Sequence, residues 1–284
     1  MRIARRFVAG EKIDDAIAAV RRLNDRGMSA TIDFLGEDVH VAKDAVAVRD
    51  EYVRLLDALA DAGARSNVSV KLTALGLLVD RALCTDNVRS IVARAGDTTR
   101  RSLLDPFVRI DMEGSALTQT TLGVFEDVFA QHKNVGVVLQ AYLHRTPADV
   151  KRAIDLGARV RLCKGAYKEP PQIAIHDMPS IRRAFMQLAE ELLTRGTYPA
   201  IATHDESLHK AVKAFTAEHG IGKDRFEFQM LYGVREDFQE KLAAEGYNVR
   251  VYVPYGTHWM QYFYRRVRER RENLLLALRA LVGR

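Results

Sequence analysis

Cysteine is nearly absent from this 284-residue chain: Cys84 and Cys163 stand alone, and no CxxC occurs. A disulfide framework is thereby excluded and a reducing compartment expected. No apolar run approaches the ~20 residues that span a bilayer. Residues 1–10 are basic but have no apolar h-region, so they are not read as a signal peptide; further native residues upstream are left open. No Pro/Gly/Ser-rich linker, low-complexity tract or strict repeat interrupts the chain. HxH and HExxH are missing, which leaves His144, His204, Asp205 and Asp111 as weak metal ligands, and no metal is expected. Zinc spacings, an RNA-binding aromatic signature and a helix-turn-helix pattern are also missing, so no nucleic acid partner is expected. No GxGxxG follows the first strand-like stretch, which argues against an open dinucleotide-binding sheet.

What is present is an ordinary globular composition: 48% hydrophobic and 28% charged, with a formal net charge of +6. Disorder is excluded, and an acidic surface or a small anion suits the positive balance. After an amphipathic helical segment at 11–27, the chain alternates. Strand-like stretches fall at 30–35, 68–72, 107–112, 136–142, 160–163, 200–203, 226–231 and 249–253. Helical patterns follow at 41–62, 86–101, 119–131, 147–156, 179–195, 208–219, 236–244 and 259–281. Thr146 before Pro147 reads as an N-cap, and Gly63, Gly157, Gly196, Gly220 and Gly246 read as helix stops. Eight strand–helix units in one α/β chain predict a single (β/α)8 TIM barrel over residues 1–284.

A barrel places its chemistry at the carboxyl ends of the strands, and polar residues gather there in the sequence. They are Glu37, Lys71, Asp111 with Glu113, Gln140 with Tyr142, Arg161 with Lys164 and Tyr167, Thr203 with His204 and Asp205, Gln229 with Tyr232, and Tyr252 with Tyr255. Beyond the last strand Tyr262, Arg265, Arg266 and Glu269 share one helix face, where two guanidinium forks match a carboxylate. A solvated basic face is the plainer reading of that Arg-rich run. Lys71, Arg161, Lys164, Arg265 and Arg266 against Asp111, Glu37 and Glu269 read as a cationic site, suited to a carboxylate substrate, a phosphorylated cofactor or both. A Schiff-base aldolase with Lys71 or Lys164 as nucleophile is the rival chemistry. Cys163 reads as a small buried strand residue.

Val68-Ser-Val-Lys-Leu-Thr-Ala-Leu75, Arg161-Leu-Cys-Lys-Gly-Ala-Tyr167, Ala202-Thr-His204, Gln229-Met-Leu-Tyr-Gly233, Arg250-Val-Tyr-Val-Pro-Tyr-Gly256 and Tyr262-Phe-Tyr-Arg-Arg266 resemble the FAD-dependent proline dehydrogenases, in particular the monofunctional bacterial type. The resemblance implies a distorted (β/α)8 barrel whose last helix lies over the carboxyl ends of the strands. It implies oxidation of L-proline to Δ1-pyrroline-5-carboxylate, the first step of proline catabolism, with hydride passing to FAD and electrons to a quinone-type acceptor. Arg265, Arg266 and Lys71 then hold the substrate carboxylate, and Tyr252, Tyr262 and Leu231 pack on its ring. Asp111 belongs to the polar network, and Glu37 closes an ion-pair gate with Arg265. Gln140, Arg161, Lys164, Gly165, Ala166, Tyr167, Thr203 and His204 correspond to the FAD-binding groups. A cytoplasmic protein, or one peripheral on the inner membrane, is implied. The alternatives are a dehydrogenase for hydroxyproline or another cyclic imino acid, a non-flavin barrel lyase or aldolase, and a non-enzymatic binder of acidic lipid or nucleic acid. Lys168 stands where many relatives have Trp, and Asp205 where many have Asn; the second is expected to alter a cofactor hydrogen bond.

Overall fold

The computed structural model describes residues 6–97 and 103–259. The strands are β1 Ser29–Phe34, β2 Ser66–Val70, β3 Val108–Ile110, β4 Val135–Gln140, β5 Val160–Cys163, β6 Ala200–Ala202, β7 Glu227–Leu231 and β8 Asn248–Tyr255. The helices are α1 Ile13–Asp25, α2 Ala42–Ala62, α3 Arg81–Gly96, α4 Ser115–Phe129, α5 Thr146–Asp155, α6 Met178–Arg195, α7 Glu206–Glu218 and α8 Glu236–Ala244. The strands are all parallel and close into one barrel in chain order, with β8 pairing back on β1 from Ser29↔Arg250 to Phe34↔Tyr255. The architecture is the expected (β/α)8 barrel. The expected helix at 259–281 lies outside the described residues, except for Trp259 at its start.

The sequence places the elements by simple means. Gly63 ends α2 in the left-handed region (φ 58°), where a residue without Cβ carries no steric penalty. Two local expectations are corrected. Helix α3 begins at Arg81 and not at residue 86, because the Asp80 carboxylate accepts from the Leu83 N–H (2.8 Å) and caps it. Thr146 is not a cap: it is the first residue of α5, and its hydroxyl donates to the Gln140 carbonyl (2.6 Å), tying that helix to the end of β4. Gly196 does follow α6, but with an ordinary φ of −81°.

Strand side chains alternate between two faces, and here the two faces differ in chemistry. Ile32, Val68, Val70, Ile110, Leu162, Val251 and Val253 are fully buried in the apolar layer under the helices. The alternate positions are polar, and they meet across the barrel. Arg161 on β5 reaches Ser69 on β2 (2.9 Å), and Tyr252 on β8 reaches Asp111 just after β3 (2.7 Å). Strands that are not neighbours touch only through the barrel interior, so these bonds fill it.

At the amino-terminal end the interior is closed by a separate network. Arg250 pairs with Glu227 (2.9 Å) and Asp105 (2.8 Å) and donates to the Ala30 carbonyl (2.7 Å). Burial pushes the Glu227 carboxyl up, but Arg250 more than offsets this and holds it at about 2. Helix α1 packs on β8 and β1, burying Ile17, Val20 and Leu23, and so covers the seam where the barrel closes.

Candidate active site at the carboxyl ends of the strands

Asp111 is the centre of the polar cluster at the other end. One carboxylate oxygen accepts from Arg161 (2.8 Å), and the other accepts from the Tyr252 hydroxyl (2.7 Å). Lys71, one residue past β2, donates to Asp33 (2.7 Å) and to the Tyr252 hydroxyl (3.2 Å), and lies 3.6 Å from Asp111. Arg161 also donates to Ser69, whose hydroxyl bonds Thr31 (3.0 Å). Lys71, Asp111, Arg161 and Tyr252 are therefore one hydrogen-bonded unit built from β2, β3, β5 and β8.

Burial lowers the Lys71 ammonium, but Asp33 and Asp111 more than offset this and raise it above the ordinary lysine value. A nucleophilic lysine must present a neutral amine. Burial raises the Asp33 carboxyl as well, but the 2.7 Å contact and the upward direction for Lys71 favour an ammonium there, which argues against Lys71 as the Schiff-base nucleophile.

A second group lies where β4, β5 and β6 end. The Gln140 amide donates to the Glu113 carbonyl (3.0 Å), while its oxygen accepts from the Ala166 N–H (3.2 Å). Gly165 has φ +119°, and a Cβ there would lie 2.1 Å from the Tyr142 ring, so the loop 164–167 passes that ring at a distance only glycine permits. The Tyr142 hydroxyl donates to the Tyr167 carbonyl (3.2 Å). Lys164 pairs with Asp205 (3.2 Å), which also takes Arg182 (2.7 Å) and accepts from the Ser207 N–H at the start of α7. These partners hold the Asp205 carboxyl well below the usual range although burial pushes it up. Asp205 is thus a staple between β5, α6 and α7. Thr203 accepts from the Asp205 N–H (3.1 Å), and His204 accepts through Nε2 from the Leu231 N–H (2.9 Å), fixing the backbone of Leu231.

The sequence reading missed Asp33, which is fully buried, and with it the charge balance. Within the described residues Lys71, Arg161 and Lys164 face Asp33, Asp111 and Asp205. This part of the site is balanced, not cationic as expected. The signal for Asp33 was available: Thr31 and Asp33 are polar at alternate positions of β1, a pattern no strand buried between helices and an apolar interior would carry. Glu113, tied to Thr73 (2.6 Å), supports the loop after β3. Glu37 is half-buried in the loop after β1. Tyr262, Arg265, Arg266 and Glu269 lie outside the described residues.

A closed α/β barrel with its ionisable side chains joined at the carboxyl ends of the strands has the build of a barrel enzyme. The proline dehydrogenase family pattern matches residues 16–275. The chain is 41% identical to proline dehydrogenase 1 of Bacillus subtilis subsp. natto, over 98% of this chain and 90% of that one. It is 39% identical to proline dehydrogenase of Deinococcus radiodurans, over 99% and 90%. The chain therefore belongs to the proline dehydrogenase family, and it is an oxidoreductase acting on a CH–NH donor. Among solved structures it resembles proline utilization A of Bdellovibrio bacteriovorus inactivated by N-propargylglycine, with a TM-score of 0.87 and 26% identity over 96% of this chain and 33% of that chain. It thus spans about a third of that longer protein. Among the described residues no helix is long and apolar enough to cross a membrane.

Proposed function

We propose that this protein oxidises L-proline to Δ1-pyrroline-5-carboxylate, with FAD as its cofactor and a quinone-type electron acceptor, as one catalytic domain. The reading rests most on the Lys71–Asp111–Tyr252–Arg161 unit standing at the carboxyl ends of the strands in a chain of this family. Lys71, with Arg265 and Arg266, holds the substrate carboxylate. Tyr252, oriented by Asp111, packs on the ring together with Leu231 and Tyr262. Glu37 gates the entrance by pairing with Arg265. Hydride transfer needs the substrate carbon held at one place and angle, and a carboxylate fixed by several donors supplies that orientation.

Several features suit FAD. Gln140 and the Ala166 N–H form a hydrogen-bonded shelf, Gly165 allows close approach beside Tyr142, and the Arg161 Nε is buried without a partner among the described residues. Arg161, Gln140, Lys164, Gly165, Ala166, Tyr167, Thr203 and His204 would hold it. When bound, FAD would supply the acceptor for one hydride, which carries both electrons of the oxidation. Arg161 and Lys164, though each is paired with a carboxylate, would offer hydrogen-bond donors to an electron-rich, anionic ring. Asp205 restrains Lys164, so it acts on the cofactor side through that lysine.

The test is steady-state turnover of L-proline with an artificial acceptor, compared with hydroxyproline. Proline should give the higher kcat/KM, because the Tyr252 ring crowds a ring hydroxyl. Preference for hydroxyproline would replace the substrate, and turnover of neither would remove the reading. Replacing Arg265 or Arg266 should raise KM steeply, since a lost charged hydrogen bond of this kind costs on the order of 2–4 kcal/mol. Near-normal proline kinetics in both variants would remove the clamp.

A further inference from the structure

We infer that Asp33 is a positioning residue for this reaction: it fixes the Lys71 ammonium, charged and aimed, for the substrate carboxylate. The inference deepens the proposed function and rests on it.

An ammonium has three protons to place. On Lys71 one goes to Asp33 (2.7 Å) and one to the Tyr252 hydroxyl (3.2 Å). The next acceptor among the described residues, Asp111, is at 3.6 Å, too far for a hydrogen bond. One proton is left for an incoming acceptor, and the two bonds already made fix its direction. Asp33 can do this because the sheet fixes its backbone on both sides and its side chain is enclosed. It lies on β1 between Ser69 of β2 and Pro254 of β8 in the sheet register, and it is fully buried.

The charged groups around Lys71 come from several strands. Asp33 is on β1, Asp111 and Glu113 follow β3, Tyr252 is on β8, and Arg161 on β5 is joined through Asp111. Tyr52 of α2 lies behind Asp33, its hydroxyl donating to the Ser69 carbonyl (2.7 Å). Asp111 is shared with Arg161 and Tyr252, whereas the only ion pair Asp33 makes among the described residues is with Lys71. Burial opposes a charged lysine, so loss of Asp33 removes the closest carboxylate that keeps it protonated.

The experiment measures binding of cyclopentanecarboxylate to the holoenzyme by calorimetry from pH 6.5 to 9. This ring carboxylate has no amine, so no proton on the ligand titrates in that range. The native enzyme should bind with affinity flat in pH. Asp33→Asn should bind at least about tenfold more weakly at pH 9 than at pH 6.5, one decade per unit of lost protonation, and proline turnover should show KM rising more than kcat falls. The fall with pH should vanish in Asp33→Asn/Lys71→Met. A flat profile in folded Asp33→Asn, whatever its affinity, would overturn the inference. If Asp33→Asn does not fold, native enzyme and Lys71→Met decide. A flat native profile with weaker binding by Lys71→Met supports the inference, and a basic limb below pH 9 in the native enzyme that Lys71→Met abolishes overturns it. If the native enzyme neither binds the analogue nor oxidises proline, the proposed function fails, a result distinct from either.

Discussion

Tyr252 shows how one side chain serves two purposes. Its hydroxyl donates to Asp111 and accepts from Lys71, while the Arg161 guanidinium lies 5.3 Å from its ring centre. Tyr252→Phe keeps the ring and removes both bonds. It should raise KM for proline by about tenfold, or about 1.4 kcal/mol, with a smaller fall in kcat; an unchanged KM would show that the hydroxyl does not orient the site. The residues of this cluster differ in how plainly the sequence announced them. Lys71 and Arg161 sit in short motifs with small neighbours and were legible. Asp33 was signalled only by its polar alternation with Thr31, and its pairing with Lys71 was not legible, because that depends on which strand lies opposite once the barrel closes.

Two connections between elements lead to tests. His209 on α7 is buried and bonds the Thr203 carbonyl through Nε2 (2.9 Å), so that nitrogen is the donor and the ring is neutral. Burial lowers it from the ordinary 6.5 to about 4. The unfolded chain therefore takes up a proton that the folded chain refuses between those values, and stability must fall as pH drops through that window. The loss should be about 2.5 kcal/mol between pH 7.5 and pH 4.5. His209→Asn, which keeps a donor and cannot titrate, should lose clearly less in denaturant melts at the two pH values. Equal losses would place the acid sensitivity elsewhere. Gly165→Ala brings a Cβ against the Tyr142 ring at a φ of +119°, so it should cost on the order of 1–3 kcal/mol and reduce bound flavin per chain; full flavin content would show that the loop adapts. Element type was readable across the described residues, from alternating strand and helix patterns. Boundaries were less so: α3 starts where Asp80 can cap it, and the Thr146 hydroxyl bonds the end of β4, choices set by which local polar partner each side chain takes.

At the scale of the whole molecule the barrel separates stability from chemistry. The amino-terminal network of Arg250, Glu227 and Asp105 lies at the opposite end of the interior from Lys71 and Asp111. Arg250→Ala leaves Glu227 buried without its guanidinium, which should cost on the order of 3–5 kcal/mol. The expected result is a large drop in Tm with KM for proline unchanged in the folded fraction, and a changed KM would show that the two ends are coupled. The fold as a whole was legible because eight strand–helix units in this length leave few other parallel-sheet solutions. The charge of the site was not, because carboxylates from β1 and the start of α7 balance the cations that the motifs display. The central claim is that this barrel passes electrons from L-proline to a bound flavin. An anaerobic absorption spectrum of the purified protein, before and after adding L-proline, tests it most directly. The account predicts a flavin spectrum that bleaches on addition of proline. A flavin spectrum that does not change, or a protein that stays colourless after reconstitution with FAD, would contradict it.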